Sequence, residues 1–163
     1  MKKFKKDKTM KSIRLFCYIA LGVSICWGLF WFGNILLSLF GVGDYPIKWF
    51  DWTEHKGLKI ALFVAYSLSI AAMIVLCVKM VFNVLKGMRE NIVFPKSNVK
   101  LLFRFVIADF VFMLAYNNLH VLNSGLMEFH FNYSNLVTPF FLLFFAFMYK
   151  VAADAVEENN LTV

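Results

Sequence analysis

Paired cysteine is missing from this chain of 163 residues. Cys17, Cys26 and Cys77 are odd in number, show no CxxC spacing and fall inside apolar runs. That pattern argues against a disulfide scaffold and a zinc ribbon alike, and leaves the thiols as small apolar side chains. Acidic charge is scarce as well: 10 Asp and Glu stand against 17 Lys and Arg, for a net charge of +7. No nucleophile elbow, HExxH helix or glycine-rich phosphate loop occurs, so we expect no enzyme, no catalytic residue, no metal site and no cofactor. Period-two alternation is also lacking, which argues against a membrane barrel.

What the chain does have is apolar surface. It is 61% hydrophobic and 18% aromatic, with a mean hydropathy of +0.68. A soluble domain of this length cannot hide so much side chain in its core. Four long apolar runs cover residues 13–40, 58–85, 99–122 and 136–156. Each has the roughly 20 residues needed to cross about 30 Å of hydrocarbon. The predicted fold is all-α: one domain over 1–163, an integral membrane four-helix bundle made of two helical hairpins. The lysine-rich start, MKKFKKDKTMKS, reads as a polar tail with too little apolar surface to fold alone. The run behind it is too long for a signal peptide and has no A-x-A cleavage site. Within that run Ser24 and Gly28 stand four apart, a spacing that lets a neighbouring helix approach closely. Glycines and Pro46 mark the next segment as a loop. Its Trp49, Phe50 and Trp52 suit a membrane interface better than a lid over a ligand.

Charge placement gives the orientation. Seven of the 17 Lys and Arg lie in the first 14 residues, and six more in or near the island 86–104 or at Lys150. Only Lys48, Lys56 and Lys59 fall on the opposite side. Cations flanking apolar runs face anionic lipid, so the bilayer is the expected partner and direct nucleic-acid binding is not expected. The positive-inside rule then puts both termini in the cytoplasm.

Two charges sit within the runs. Lys79 and Asp109 both come out about 10 Å from the cytoplasmic end of their helices. A charge at that depth costs about 2.5 to 3.5 kcal/mol on insertion scales, so an interhelical Lys79–Asp109 pair is expected. If the third helix runs on unbroken, Asp109, Met113, Tyr116 and His120 form one stripe, with His120 about 20° from Asp109. Such a stripe can carry protons or ions, the rival to simple pairing. His55, His120 and His130 lack metal-motif spacing, although His120 and His130 flank the outer loop with Glu128.

The island and the end of the chain carry a resemblance. Asn91, Phe94, Asn98, Val99 and Lys100 follow a pattern of Gly, two residues, Phe, three residues, Asn, a hydrophobic position and a basic one. The chain closes Glu157, Glu158, Asn159, Asn160, Leu161, Thr162, Val163. In both features it resembles a bacterial family of small, uncharacterised four-helix inner-membrane proteins. Asn91 departs from the family's Gly, and Asn160 stands where Asp is frequent. Members of that family are often encoded beside a small helix-turn-helix regulator, so the resemblance implies such a protein as a partner. It supplies no activity. In the residues themselves, Asn91 is expected to end the second helix with a positive φ, Phe94 to bury at the interface and Ser97 to cap the third helix. Asn91, Phe94, Asn98, Glu157 and Glu158 then make a candidate cytoplasmic docking face. The plainer alternative is a well-formed helical connection. The rival function is a small transporter or channel subunit using Asp109, oligomeric because four helices enclose little space.

Overall fold

Helix is the regular structure throughout the computed structural model, which describes residues 2–42, 55–90, 92, 94–122 and 128–161, with the side chains of 2–8, 134 and 159–161 left aside. Four helices follow in order: α1 Lys2–Leu39, α2 Lys56–Gly87, α3 Ser97–Tyr116 and α4 Ser134–Leu161. Single 3₁₀ turns over Met88–Glu90 and Leu119–Leu122 extend α2 and follow α3. Among the described residues there is no strand. Three helical stretches are long and apolar enough to cross a membrane: Thr9–Leu39, Lys56–Glu90 and Asn135–Glu158. The remaining helix, α3, carries Lys100, Arg104 and Asp109 within its 20 residues.

The helix ends differ from those expected. α1 begins at Lys2, so the lysine-rich start is helical rather than a separate tail. Lysine is a good helix former, and extending an existing helix adds a hydrogen bond per residue without a new nucleus. Gly41, at φ 75°, stops α1. Its left-handed backbone lets the Val42 N–H donate back to the Leu37 carbonyl at 2.9 Å, a closure that a side chain at Gly41 would strain. Trp49, Phe50, Trp52 and Asn91 lie outside the described residues. Ser97 does not cap α3: Lys96 holds the cap position and no side chain bonds to the exposed amides.

The helices pack in chain order, α1 on α2, α2 on α3 and α3 on α4. Close approach of α1 and α2 rests on the small residues. Ser24 Oγ lies 3.1 Å from Cys77 Sγ, and a Cβ on Gly28 would come within 2.9 Å of Ile74 Cδ1. Between lipid-like surfaces such packing, not exclusion of water, holds helices together. Further along the same seam Trp31 enters a cluster with Tyr66, Phe112 and Tyr116, its ring centroid 5.9 to 6.0 Å from each and near-perpendicular to all three. Edge-to-face geometry of this kind adds about 0.5 to 1.5 kcal/mol per pair beyond burial. One side chain of α1 thus fastens it to α2 and α3 together. The buried Tyr66, Ile70, Ala115, Leu119 and Leu122 form the core around that point.

Exposure divides the helices. α1 and α4 show apolar side chains broadly, from Leu15 to Leu37 and from Val137 to Val151. On α3 Ile107 is the exposed large hydrophobic residue. α3 is therefore the helix most enclosed by its neighbours, and the enclosure covers Asp109 while Lys100 and Arg104 stay exposed.

Candidate functional site

Gly87 sets up the connection between α2 and α3. A Cβ there would meet the Ile92 carbonyl oxygen at 2.6 Å and Pro95 Cγ at 3.1 Å. The Gly87 carbonyl in turn accepts from the Ile92 N–H at 2.8 Å. Only a bare Cα lets the chain fold back so closely. The sequence reading passed over Gly87, whose signal was its place at the boundary of an apolar run.

Beyond that turn the island is tied down on two sides. Asn98, 2% exposed, donates to the Met80 carbonyl at 3.0 Å and accepts from Asn83 Nδ2 at 2.7 Å. Both bonds join the start of α3 to α2, and a buried amide needs such partners. Toward α4, the Phe94 ring meets Tyr149 edge-on at 5.5 Å, and the Tyr149 hydroxyl donates to the Pro95 carbonyl at 3.3 Å. Lys96 Nζ reaches Glu157 at 2.5 Å and Asp154 at 3.9 Å. The hydrogen bond and charge of Glu157, then the charge of Asp154, hold the Lys96 ammonium above the ordinary lysine value. The pair is exposed, so water and salt screen it.

Of the candidate docking residues, Phe94, Asn98 and Glu157 are thus brought together, and their first partners are in the chain itself. Glu158, Lys100 and Arg104 are exposed. Sequence reasoning missed Tyr149 and Asp154, both of which face the island from α4.

Lys79 and Asp109 do not meet. Lys79 is exposed and Asp109 is buried, 7% exposed. Their depths are alike but their directions are not. At about 100° per residue, Lys79 lies about 140° around α2 from the buried Tyr66 and shares its face with exposed Val75 and Phe82. A lysine near a helix end escapes the hydrocarbon by reaching along the surface to the headgroups. Among the described residues, Asp109 Oδ2 is one of four buried side-chain atoms without a hydrogen-bond partner, with Trp31 Nε1, Ser67 Oγ and Asn135 Nδ2.

The polar stripe is interrupted. α3 ends at Tyr116, where Asn117 and Asn118 turn the chain. Tyr116 packs on Phe112 and Trp31. His120 stands beyond, in the following turn, exposed, its Nε2 3.1 Å from the Glu128 carbonyl and its ring 5.0 Å from that of His130. Asn118 brackets His130, donating to its carbonyl at 3.1 Å and accepting from its N–H at 2.7 Å. Asn117 donates to Asn135, fastening the start of α4. These asparagines close this end of the helices rather than extend a path from Asp109. Among the described residues no three His, Cys, Asp or Glu come together in a group able to hold a metal ion. No family model, curated protein or solved structure matches the chain.

Proposed function

We propose that this is a four-span protein of a bacterial cytoplasmic membrane, two helical hairpins with both termini inside, acting by interaction rather than catalysis. Positive charge concentrated at one end supports that orientation. Enclosure of α3 by its neighbours supports a fourth span despite its charges. The observation that carries the functional reading is the join between the island and the end of α4, through Phe94, Tyr149, Lys96 and Glu157. It makes one composite face from two distant stretches, basic along Lys100 and Arg104 and acidic at Glu157 and Glu158. A partner meets a held shape there and loses less entropy on docking than against loose segments. The resemblance of the island and tail points to a small helix-turn-helix DNA-binding protein as that partner.

The test is affinity capture from native membranes, comparing the intact chain with one carrying Phe94→Ala and lacking residues 157–163. A small DNA-binding protein recovered with the first and lost with the second is the expected result. Recovery of no cytoplasmic protein with the intact chain sinks the docking reading.

The second reading is a transporter or channel subunit, favoured by the buried and unpartnered Asp109 Oδ2. It calls for more than one copy, and the apolar faces of α1 and α4 offer contact surfaces. Reconstituted vesicles whose flux is abolished by Asp109→Asn would favour it.

A further inference from the structure

A cleft of about 540 Å³ opens between the first half of α1 and the end of α2. Arg14 and Tyr18 line it from α1, and Phe82, Leu85, Lys86 and Arg89 from α2 and the turn after it. Its three charged walls are all cationic. Among the described residues none of the three is paired with a carboxylate, the ion pairs being those of Lys96. Like charges converging without a counter-ion repel one another, and an anion placed between them removes that cost. The carbonyl end of α2 accounts for one nearby cation, Lys86 in the last turn. It does not account for Arg14, which another helix brings to the same place.

The other walls decide the kind of anion. Phe82 and Tyr18 are exposed apolar surface, and they lie on the membrane side of the charges, one turn deeper along each helix. Arg14 stands where the first apolar run begins and Lys86 where the second ends. Cations above, aromatic surface below, at the boundary of hydrocarbon, match a phosphodiester headgroup with its acyl chains. The volume falls within the range of small-molecule sites, about 300 to 1,000 Å³. We infer that this cleft binds the headgroup phosphate of an anionic phospholipid, with Arg14, Lys86 and Arg89 as ligands and Tyr18 and Phe82 against the chains. The inference rests on the membrane-spanning reading, but not on the docking one.

The test uses the full chain in nanodiscs of equimolar phosphatidylglycerol and phosphatidylcholine, released into the gas phase for native mass spectrometry. Membrane insertion is checked beforehand by resistance to alkaline carbonate extraction, so that failure to span is seen separately from failure to bind. The intact protein should retain phosphatidylglycerol over phosphatidylcholine. The variant Arg14→Gln, Lys86→Gln, Arg89→Gln should lose that preference by about tenfold. Replacing Lys2, Lys3 and Lys5 with Gln removes the same charge elsewhere in the sequence and should leave the preference intact. Where the triple variant fails to fold, Arg14→Gln alone should lower the preference. Equal loss in the cleft and tail variants means diffuse attraction only and overturns the site. So does equal retention of the two lipids. Displacement of the bound lipid by glycerol 3-phosphate at matched concentration would make the ligand a soluble phosphate and overturn the lipid assignment.

Discussion

At the scale of single residues, Gly87 carries the sharpest consequence. A methyl group there must displace the Ile92 carbonyl, which sits 2.6 Å from the Cβ position. Backbone cannot give way as a flexible side chain can, so Gly87→Ala is expected to cost about 1 to 3 kcal/mol. Thermal unfolding of the detergent-purified protein reads it, and an unchanged midpoint would show that the turn relaxes. The Lys96–Glu157 contact makes a second prediction. Because Glu157 raises the lysine's pKa, the contact contributes fully below the ordinary lysine value and is lost as pH rises through the raised one. It should hold at neutral pH and loosen in alkali or at high salt. Hydrogen exchange of the Ile92 and Asn98 amides, faster in Glu157→Gln than in the intact chain, is the expected signature. Equal exchange in the two would remove the contact's structural role. Asp109→Asn should leave stability unchanged or higher, since no described partner is lost. A drop in the unfolding midpoint would reveal one.

These residues show how far the sequence could be read. Asp109 and Lys79 were recognisable from the sequence alone as charges within apolar runs. Their pairing was inferred from depth, and depth carries no information about direction around a helix. The docking residues Phe94, Asn98 and Glu157 were marked by resemblance and do come together. Tyr149 was invisible because nothing in a Phe-rich run distinguishes the one aromatic that faces a distant carbonyl.

Among elements, α1 is the least enclosed and depends on the seam of Ser24, Gly28 and Trp31. Trp31→Ala removes three edge-to-face contacts with two other helices and should cost about 3 to 5 kcal/mol. Denaturant titration in mixed micelles, with α1 reported by a label at its exposed face, should show α1 separating before α2 and α3. Simultaneous loss of all helices would mean that α1 is more widely held. The spacing of Ser24 and Gly28 was legible from sequence, since small residues four apart define a face. The end of α3 was not. An unbroken apolar pattern ran through residue 122, but the adjacent amides Asn117 and Asn118 find better partners at His130 and Asn135 by leaving the helix. Local competition of side-chain amides with backbone bonds is a weak signal in sequence and a decisive one in place.

For the whole molecule, the four apolar runs corresponded to four helices because length and hydropathy are strong signals. Their neighbour relations were less legible, since apolar surface on every side of α1 and α4 gives no preferred face. Reporter fusions at each connection would test the orientation: the ends and the island accessible from the cytoplasm, residues 43–54 and 123–127 from outside. Any other pattern would remove the composite face from the cytoplasm.

Packing in chain order also bears on how such a molecule is made. Each helix after the first finds a packing neighbour already made, so assembly can proceed as synthesis does, with few distant contacts to await. One set of contacts is made late. The island at 92–98 emerges well before Tyr149, Asp154 and Glu157 can reach it, and stays unlatched until the last helix is complete. A prematurely terminated chain would insert its first helices and still present an open island, a surface by which quality control can tell unfinished copies from finished ones.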